Sequence, residues 1–346
     1  MYSCCNLSLH GICFYQGEIV SCCYAPNDQI NGGLPPVLFP DYKGQIIPKE
    51  QLFKRMRYFS SQFKNGSCPI ECKGCFQIKE ADWDESEYID FITITNFSCC
   101  NINCVYCSNN LKPYERSNNH YKVLPFLKYL KDNGVLRQNL EIHVGGGEFS
   151  IYSECDAILE EFGVTNFAKI YIATNALHYS ESLNRAIKAG STYVVISLDC
   201  GTRKTYKKIK RVDAFDKVVE NIHKYAKDTK NIHTLTIKYI IIPGINDNFR
   251  EFKKFLKIAK SAKYTWVRVD IEGRYLRSVN NNANPIYIKM AKKMIKMAEN
   301  QGFLSGYHAF LQQAKERKTS FSDIIDFIKL KYFKTGIKKF YTNEKY

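Results

Sequence analysis

Thr93-Ile94-Thr95-Asn96-Phe97-Ser98-Cys99-Cys100-Asn101-Ile102-Asn103-Cys104-Val105-Tyr106-Cys107 is the stretch on which the rest of the chain is read. The apolar, β-branched run Ile89 to Thr95 predicts a strand, so the cysteines follow a strand directly. Cys100, Cys104 and Cys107 have the spacing CxxxCxxC. Three thiolates on one short loop can hold three irons of a cubane that normally takes four Cys, leaving one iron open to a small chelating ligand. Structural zinc would want a fourth ligand close by. Cys99 adjoins Cys100, and two neighbours cannot easily both reach one metal, so Cys99 is assigned to packing.

Outward from this loop, short apolar runs alternate with amphipathic helical patterns, the signature of strand-helix units and a parallel sheet. The runs are Ile89 to Thr95, Leu140 to Val144, Lys169 to Ala173, Tyr193 to Leu198, Thr234 to Ile242 and Trp266 to Ile271. Helices are predicted at Val123 to Asp132, Ser182 to Ala189, Ala214 to Ala226 and Phe249 to Ala262. Six units predict an α/β fold with an open, partial (β/α)6 barrel over residues 85–275. Residues 276–346 add helices at Pro285 to Glu299, Gly306 to Arg317 and Ser320 to Lys331. Residues 1–80 read differently. They carry Gly, Pro and Cys punctuation and one predicted helix, Lys49 to Phe63, as a separate small domain that metal or a cluster would have to staple.

The loop resembles that of the radical S-adenosylmethionine (SAM) superfamily, which has this Cys spacing and an aromatic residue before the last Cys, here Tyr106. The resemblance covers about residues 88–275. Gly146, Gly147 and Glu148 match the family's Gly-Gly-Glu element, whose glycines would let the backbone approach the SAM amino group. Ser197 and Asp199 match a Ser-x-Asp segment placed to meet the ribose and carboxylate. Thr174 and Asn175 occupy a similar rim position, where turn chemistry explains them as well. Gly244-Ile245-Asn246-Asp247 is similar to the segment that packs on adenine. Arg211 and Lys238 are candidate cations for the SAM carboxylate. The resemblance implies a TIM-like partial barrel, a 4Fe–4S cluster, SAM, and reductive cleavage of SAM to a 5′-deoxyadenosyl radical.

On the sixth strand Arg268, Asp270 and Glu272 alternate with Val267, Val269 and Ile271, so one face carries three charges. Asp270, Glu272 and His143 are the substrate-side candidates, with an ion pair to Arg268 as the structural alternative.

Twelve of the fourteen cysteines lie in the first 107 residues, which points to metal or cluster ligation rather than scattered packing. Cys5, Gly17 and Cys22 resemble the opening half of SPASM and twitch modules, and Cys72 and Cys75 the closing half. That resemblance implies an auxiliary iron-sulfur cluster on Cys5, Cys22, Cys72 and Cys75, with zinc the rival occupant. Cys4, Cys13, Cys23 and Cys68 could substitute. Such modules usually follow the barrel, whereas here the Cys-rich segment precedes it.

The net charge of +16 admits an anionic partner, but Lys and Asn abound everywhere, as on ordinary solvated faces. Nucleic acid is therefore not the expected partner. No run reaches the length of a membrane span, and the N-terminus lacks a basic segment before its apolar stretch, so no membrane association and a cytoplasmic location are expected. The predicted function is hydrogen abstraction from a peptide or small metabolite, with a flavodoxin or ferredoxin as reductant. The alternatives are an RNA-modifying enzyme of the same family and a non-catalytic zinc protein that binds nucleic acid.

Overall fold

The computed structural model describes residues 3–4, 9–15, 17–21, 37–66, 78–80, 86–107, 121–227, 229, 232–272 and 284–306. The chain divides into two compact units, residues 1–99 with 116–172, and residues 100–115 with 173–346.

In the first unit, β1 (Ser3–Cys4) pairs antiparallel with a strand further on. Next come β2 (Gly11–Tyr15), β3 (Glu18–Val20), β4 (Val37–Phe39), helix α1 (Lys49–Lys64), β5 (Lys79–Glu80, the partner of β1) and β6 (Ile89–Ile94). Helix α2 (Leu124–Asp132), β7 (Leu136–Val144), the short helix α3 (Cys155–Ile158) with a π turn over Leu159–Val164, and β8 (Ala168–Thr174) complete it. The main sheet runs β8-β7-β6-β2-β3-β4. β2, β6, β7 and β8 are parallel, and β3 and β4 add an antiparallel edge. Parallel strands need covered faces. Ile92, Ile94, Ile142 and Ile170 supply one apolar face with no exposure at all, and Phe126, Leu127 and Leu130 of α2 are equally buried.

α2 begins without a capping side chain of its own. Glu154 replaces it, accepting from Val123 N at 2.7 Å and Leu124 N at 3.2 Å, so a distant carboxylate satisfies two of the amides a helix start leaves open.

In the second unit, β9 (Thr192–Ser197), β10 (Leu235–Ile241), β11 (Trp266–Ile271) and β12 (Leu304–Gly306) form a sheet in the order β12-β11-β10-β9, all parallel. Helices α4 (Glu181–Ala189), α5 (Arg203–Lys210), α6 (Phe215–Ala226), α7 (Phe249–Ser261) and α8 (Pro285–Glu299) accompany it. Ser180, Thr202 and Asn248 cap α4, α5 and α7 through their side chains. Strict alternation along β10 buries Ile237, Tyr239 and Ile241, with Tyr239 packed edge-on against Phe252 and Phe255 of α7. The opposite face carries Thr236, Lys238 and Ile240, half-buried.

All six predicted strands are present, three in each unit, and the α/β class with parallel strands holds. Three corrections follow. Residues 1–80 do not stand apart: β2 pairs in register with β6, Gly11 with Phe91 through Phe14 with Ile94, and its buried Ile12 and Phe14 share the core of the first unit. The divide between compact units instead falls near Ile172 and at Cys99. Third, Leu304–Gly306 is a strand, so the stretch after residue 275 is not purely helical. The predicted helix Gly306 to Arg317, beyond Gly306 itself, and the predicted helix Ser320 to Lys331 lie outside the described residues.

Candidate cluster and cofactor site

In the second unit, Cys100, Cys104 and Cys107 are half-buried thiols on a loop with little regular structure of its own. Its turn is closed by Cys107 N donating to Cys104 O at 3.1 Å. The loop is tied to the end of α5, where Asn103 N donates to Lys210 O at 3.3 Å and Val105 N to Ile209 O at 2.9 Å. These carbonyls are among those a helix C-terminus leaves open, so helix end and loop satisfy each other.

Beside the loop lies a buried charged group. Lys210 Nζ is 2.6 Å from Asp199 Oδ2, with side chains 1% and 0% exposed. Tyr106 OH donates to the same oxygen at 2.5 Å and accepts from Lys210 Nζ at 2.8 Å. Burial alone would push the Asp199 carboxyl up, but the Lys210 and Lys238 ammoniums override it and hold it below the usual carboxylate range. Burial works against the Lys210 ammonium too, and Asp199 again overrides it, leaving Lys210 above the usual lysine range. The Tyr106 hydroxyl is driven well up by burial and by Asp199, so it stays a donor. The other Asp199 oxygen accepts from Ile240 N at 2.9 Å, its carbonyl from Asn246 Nδ2 at 2.8 Å, and its amide donates to Lys238 O at 3.1 Å. Every polar atom of Asp199 is engaged within the protein, so it is not available as the ribose or carboxylate contact expected of it.

Asn175 reaches the loop directly. Its Nδ2 donates to Asn101 Oδ1 at 2.8 Å and to Cys100 Sγ at 3.8 Å. Thr174 Oγ1 accepts from Ala176 N at 3.0 Å, which is turn chemistry. Ser197 and Lys238 are in register on β9 and β10, as are Lys238 and Arg268 on β10 and β11. Lys238 is half-buried, its ammonium makes no hydrogen bond or ion pair with a described residue, and burial holds it below the usual lysine range. Arg211 is exposed at the end of α5, with φ of +58°. Arg268 Nε donates to Asp270 Oδ2 at 2.8 Å, the structural ion pair weighed from the sequence, and Glu272 is buried beside it in the chain.

In the first unit, Gly146 and Gly147 serve a close approach, but to the chain itself. A Cβ on Gly146 would stand 2.4 Å from Phe97 O, and one on Gly147 2.0 Å from Cys99 O. Glu148 N donates to that same Cys99 oxygen at 2.7 Å, and Glu148 Oε1 accepts from Ser150. The Gly-Gly-Glu element thus clamps residues 97–99, the approach to Cys100. Cys99 is buried, in keeping with packing. His143 stands half-buried between the rings of Phe91 and Tyr171, with Nε2 3.2 Å from Glu141. His143 therefore belongs to one compact unit and Asp270 and Glu272 to the other.

The model of the family described as the Radical SAM superfamily matches residues 95–257, the span that carries all these features from Cys100 to Asn246. Residues 95–257 are therefore a radical SAM domain. Among its curated relatives is the GTP 3′,8-cyclase of Clostridium acetobutylicum, 29% identical over 160 residues, covering 46% of this chain and 49% of that protein. The GTP 3′,8-cyclase of Listeria welshimeri is 26% identical over 176 residues, covering 49% of this chain and 50% of that protein. The chain spans about half the length of these curated relatives. Among solved structures, SuiB of Streptococcus suis shares the fold, with a TM-score of 0.50 at 15% identity over 80% of this chain and 59% of SuiB.

The family's cofactors are a 4Fe–4S cluster and SAM, and the loop's donors fit the cluster. It offers three half-buried thiols whose backbone is already anchored, with an amide donor, Asn175, at one sulfur. Among the described residues no three Cys, His, Asp or Glu converge tightly enough for a single metal ion. Cys5, Cys22, Cys72 and Cys75 lie outside the described residues. Cys13 is buried, 3.8 Å from Thr95 Oγ1. No helix among the described residues is long and apolar enough to cross a membrane.

Sequence reasoning missed Lys210. Nothing set it apart from the other lysines of α5, and its partner Asp199 had been assigned to the cofactor.

Proposed function

We propose that this chain is a radical SAM enzyme acting on a peptide or small-metabolite substrate. The observation that carries this is the anchored thiol loop, with three half-buried cysteines at family spacing held by hydrogen bonds to the end of α5. When bound, the cluster and SAM supply reductive cleavage of the sulfonium carbon-sulfur bond, giving methionine and a 5′-deoxyadenosyl radical that abstracts hydrogen.

The chain's own residues hold and orient. Cys100, Cys104 and Cys107 are the cluster ligands, and Asn175 stabilises charge on the Cys100 sulfur. Ser197 and Lys238, neighbours across β9 and β10, are the contacts for the SAM ribose and carboxylate, and an ammonium bonded to no carboxylate among the described residues suits an anion. Asp270, Glu272 and His143 serve the substrate. The GTP 3′,8-cyclases among the relatives support the small-molecule arm of this reading. Cys5, Cys22, Cys72 and Cys75 hold an auxiliary cluster or zinc, and a flavodoxin or ferredoxin supplies the electron.

The test is anaerobic reconstitution, with iron and sulfide analysis, the electron paramagnetic resonance spectrum with and without SAM, and chromatography of 5′-deoxyadenosine after reduction. The expected result is a SAM-sensitive signal and 5′-deoxyadenosine, both lost in the C100A/C104A/C107A variant. About eight irons per chain would support the auxiliary cluster and about four would leave that site to zinc. A chain with no SAM-sensitive cluster would overturn the proposal.

A further inference from the structure

Within the second unit the loop carrying the cysteines is held twice by one residue. The Lys210 carbonyl accepts from Asn103 N, and its ammonium binds the side chain of Tyr106, which sits between Cys104 and Cys107. Asp199 completes the triangle, bonded to both at 2.5 and 2.6 Å. Lys210 Nζ also lies 5.1 Å from the centre of the Tyr106 ring. Asp199 in turn is locked to β10 by Ile240 N.

The cost of such an arrangement is what makes it informative. Removing an ammonium and a carboxylate from water is expensive, and a buried ion pair is commonly no more stabilising than apolar residues of the same size. What such a pair adds is geometry, since each donor and acceptor has one satisfactory place. Here that geometry is imposed on the segment bearing two of the three cluster ligands.

We propose that Lys210, Asp199 and Tyr106 form a positioning network that holds the cysteine loop ready for its cluster. The loop-holding part stands on the protein alone, and the part concerning the cluster rests on the radical SAM reading above.

The experiment compares the natural chain with K210M, with D199N/K210M, which removes both charges together, and with Y106F, which keeps the ring and deletes the hydroxyl. Amide hydrogen exchange is measured on the iron-free proteins. The expected result is exchange at Asn103 and Val105 faster by about tenfold in D199N/K210M and by less in Y106F, while the β10 amides Ile237 and Tyr239 keep their protection. After reconstitution, the variants bind less iron per chain. If K210M loses protection in β10 as well, it has unfolded around an unpaired carboxylate, and the double variant and Y106F decide. The proposal is overturned if both of these match the natural chain in loop exchange and iron content. A natural chain that binds no iron would sink the radical SAM reading, yet the exchange data would still judge the network's hold on the loop.

Discussion

Three successive glycines end β7, and the structure assigns each a different tolerance for a methyl group. A Cβ on Gly145 would meet only Thr95 Cγ2, at 3.4 Å, an ordinary contact. On Gly147 it would stand 2.0 Å from the Cys99 carbonyl oxygen and 2.9 Å from two further backbone atoms. That carbonyl cannot swing aside freely, because it accepts from Glu148 N at 2.7 Å. Relief requires moving main chain, an overpacking cost of about 1–3 kcal/mol, and weakens a hydrogen bond worth about 1 kcal/mol. Gly147→Ala should therefore cost about 2–4 kcal/mol. With unfolding entropy of about 2.1 cal/mol/K per residue over 346 residues, this lowers Tm by ~3–6 °C. Gly146→Ala should cost at least as much, since its φ of +93° adds backbone strain to a contact of 2.4 Å with Phe97 O. Gly145→Ala should lie within about 1 °C of the natural chain. Thermal unfolding of the three iron-free variants, followed by circular dichroism, checks the order. Iron uptake provides a second measure, because the displaced segment leads directly into Cys100. Equal melting temperatures for Gly145→Ala and Gly147→Ala would refute the idea that these glycines exist to clamp residues 97–99.

Other perturbations follow from single contacts. Asn175→Ala removes the donor to Cys100 Sγ and Asn101 Oδ1, so the reconstituted cluster should become harder to reduce, read by potentiometric titration, while the iron-free protein loses about 1 kcal/mol. Glu154→Ala strips two amides of α2 and the Tyr152 hydroxyl of their acceptor, and should cost about 2–4 kcal/mol in urea unfolding; a loss under about 0.5 kcal/mol would contradict the assigned cap. The Glu161 carboxyl is held below its ordinary value chiefly by the hydrogen bond from Lys131. A lowered folded-state value means the stabilisation is present above the unfolded value of about 4.5 and is lost as pH falls through the folded one. Lys131→Met should therefore cost up to about 1 kcal/mol at pH 7 and almost nothing near pH 3, measured as urea midpoints at both pH values.

What was legible in the sequence follows from where the physical signal is concentrated. β6 and β8 to β11 are β-branched runs ending at turn residues, and their limits lie within a residue or two of those predicted. The first half of β7 escaped because Arg137, Gln138 and Asn139 are exposed and break the apolar pattern. α5 escaped because Arg203–Lys210 buries only Tyr206, Ile209 and Lys210, and a buried lysine reads as a surface one. β2 was hidden in Cys- and Gly-punctuated sequence, although Gly11–Tyr15 is the strand that ties the N-terminal segment to β6. In the site, the thiols were legible because ligand spacing is a local property. Gly146 and Gly147 are sites of close approach, but sequence cannot say what approaches, and here it is the chain's own carbonyls. The Asp199–Lys210 pair was illegible, since pairing across eleven positions depends on how α5 returns to the end of β9.

That pair also changes what the end of β9 offers. A carboxylate at a strand's C-terminal end reads as a ligand contact, and a lone Asp199 there would carry a charge facing a cofactor site. Instead its two oxygens and both its main-chain polar groups are spent on Lys210, Tyr106, β10 and Asn246. Gly201 shows the same inward use, because a Cβ there would collide at 2.5 Å with main chain of α7 at Glu251 and Phe255. Glu251 Oε1 in turn accepts from Gly201 N and Thr202 Oγ1, both at 2.9 Å. The segment from Leu198 to Thr202 is therefore a joint between β9, α5 and α7. Ser197, the residue before it, is half-buried and in register with Lys238 on β10, whose ammonium is bonded to no carboxylate among the described residues.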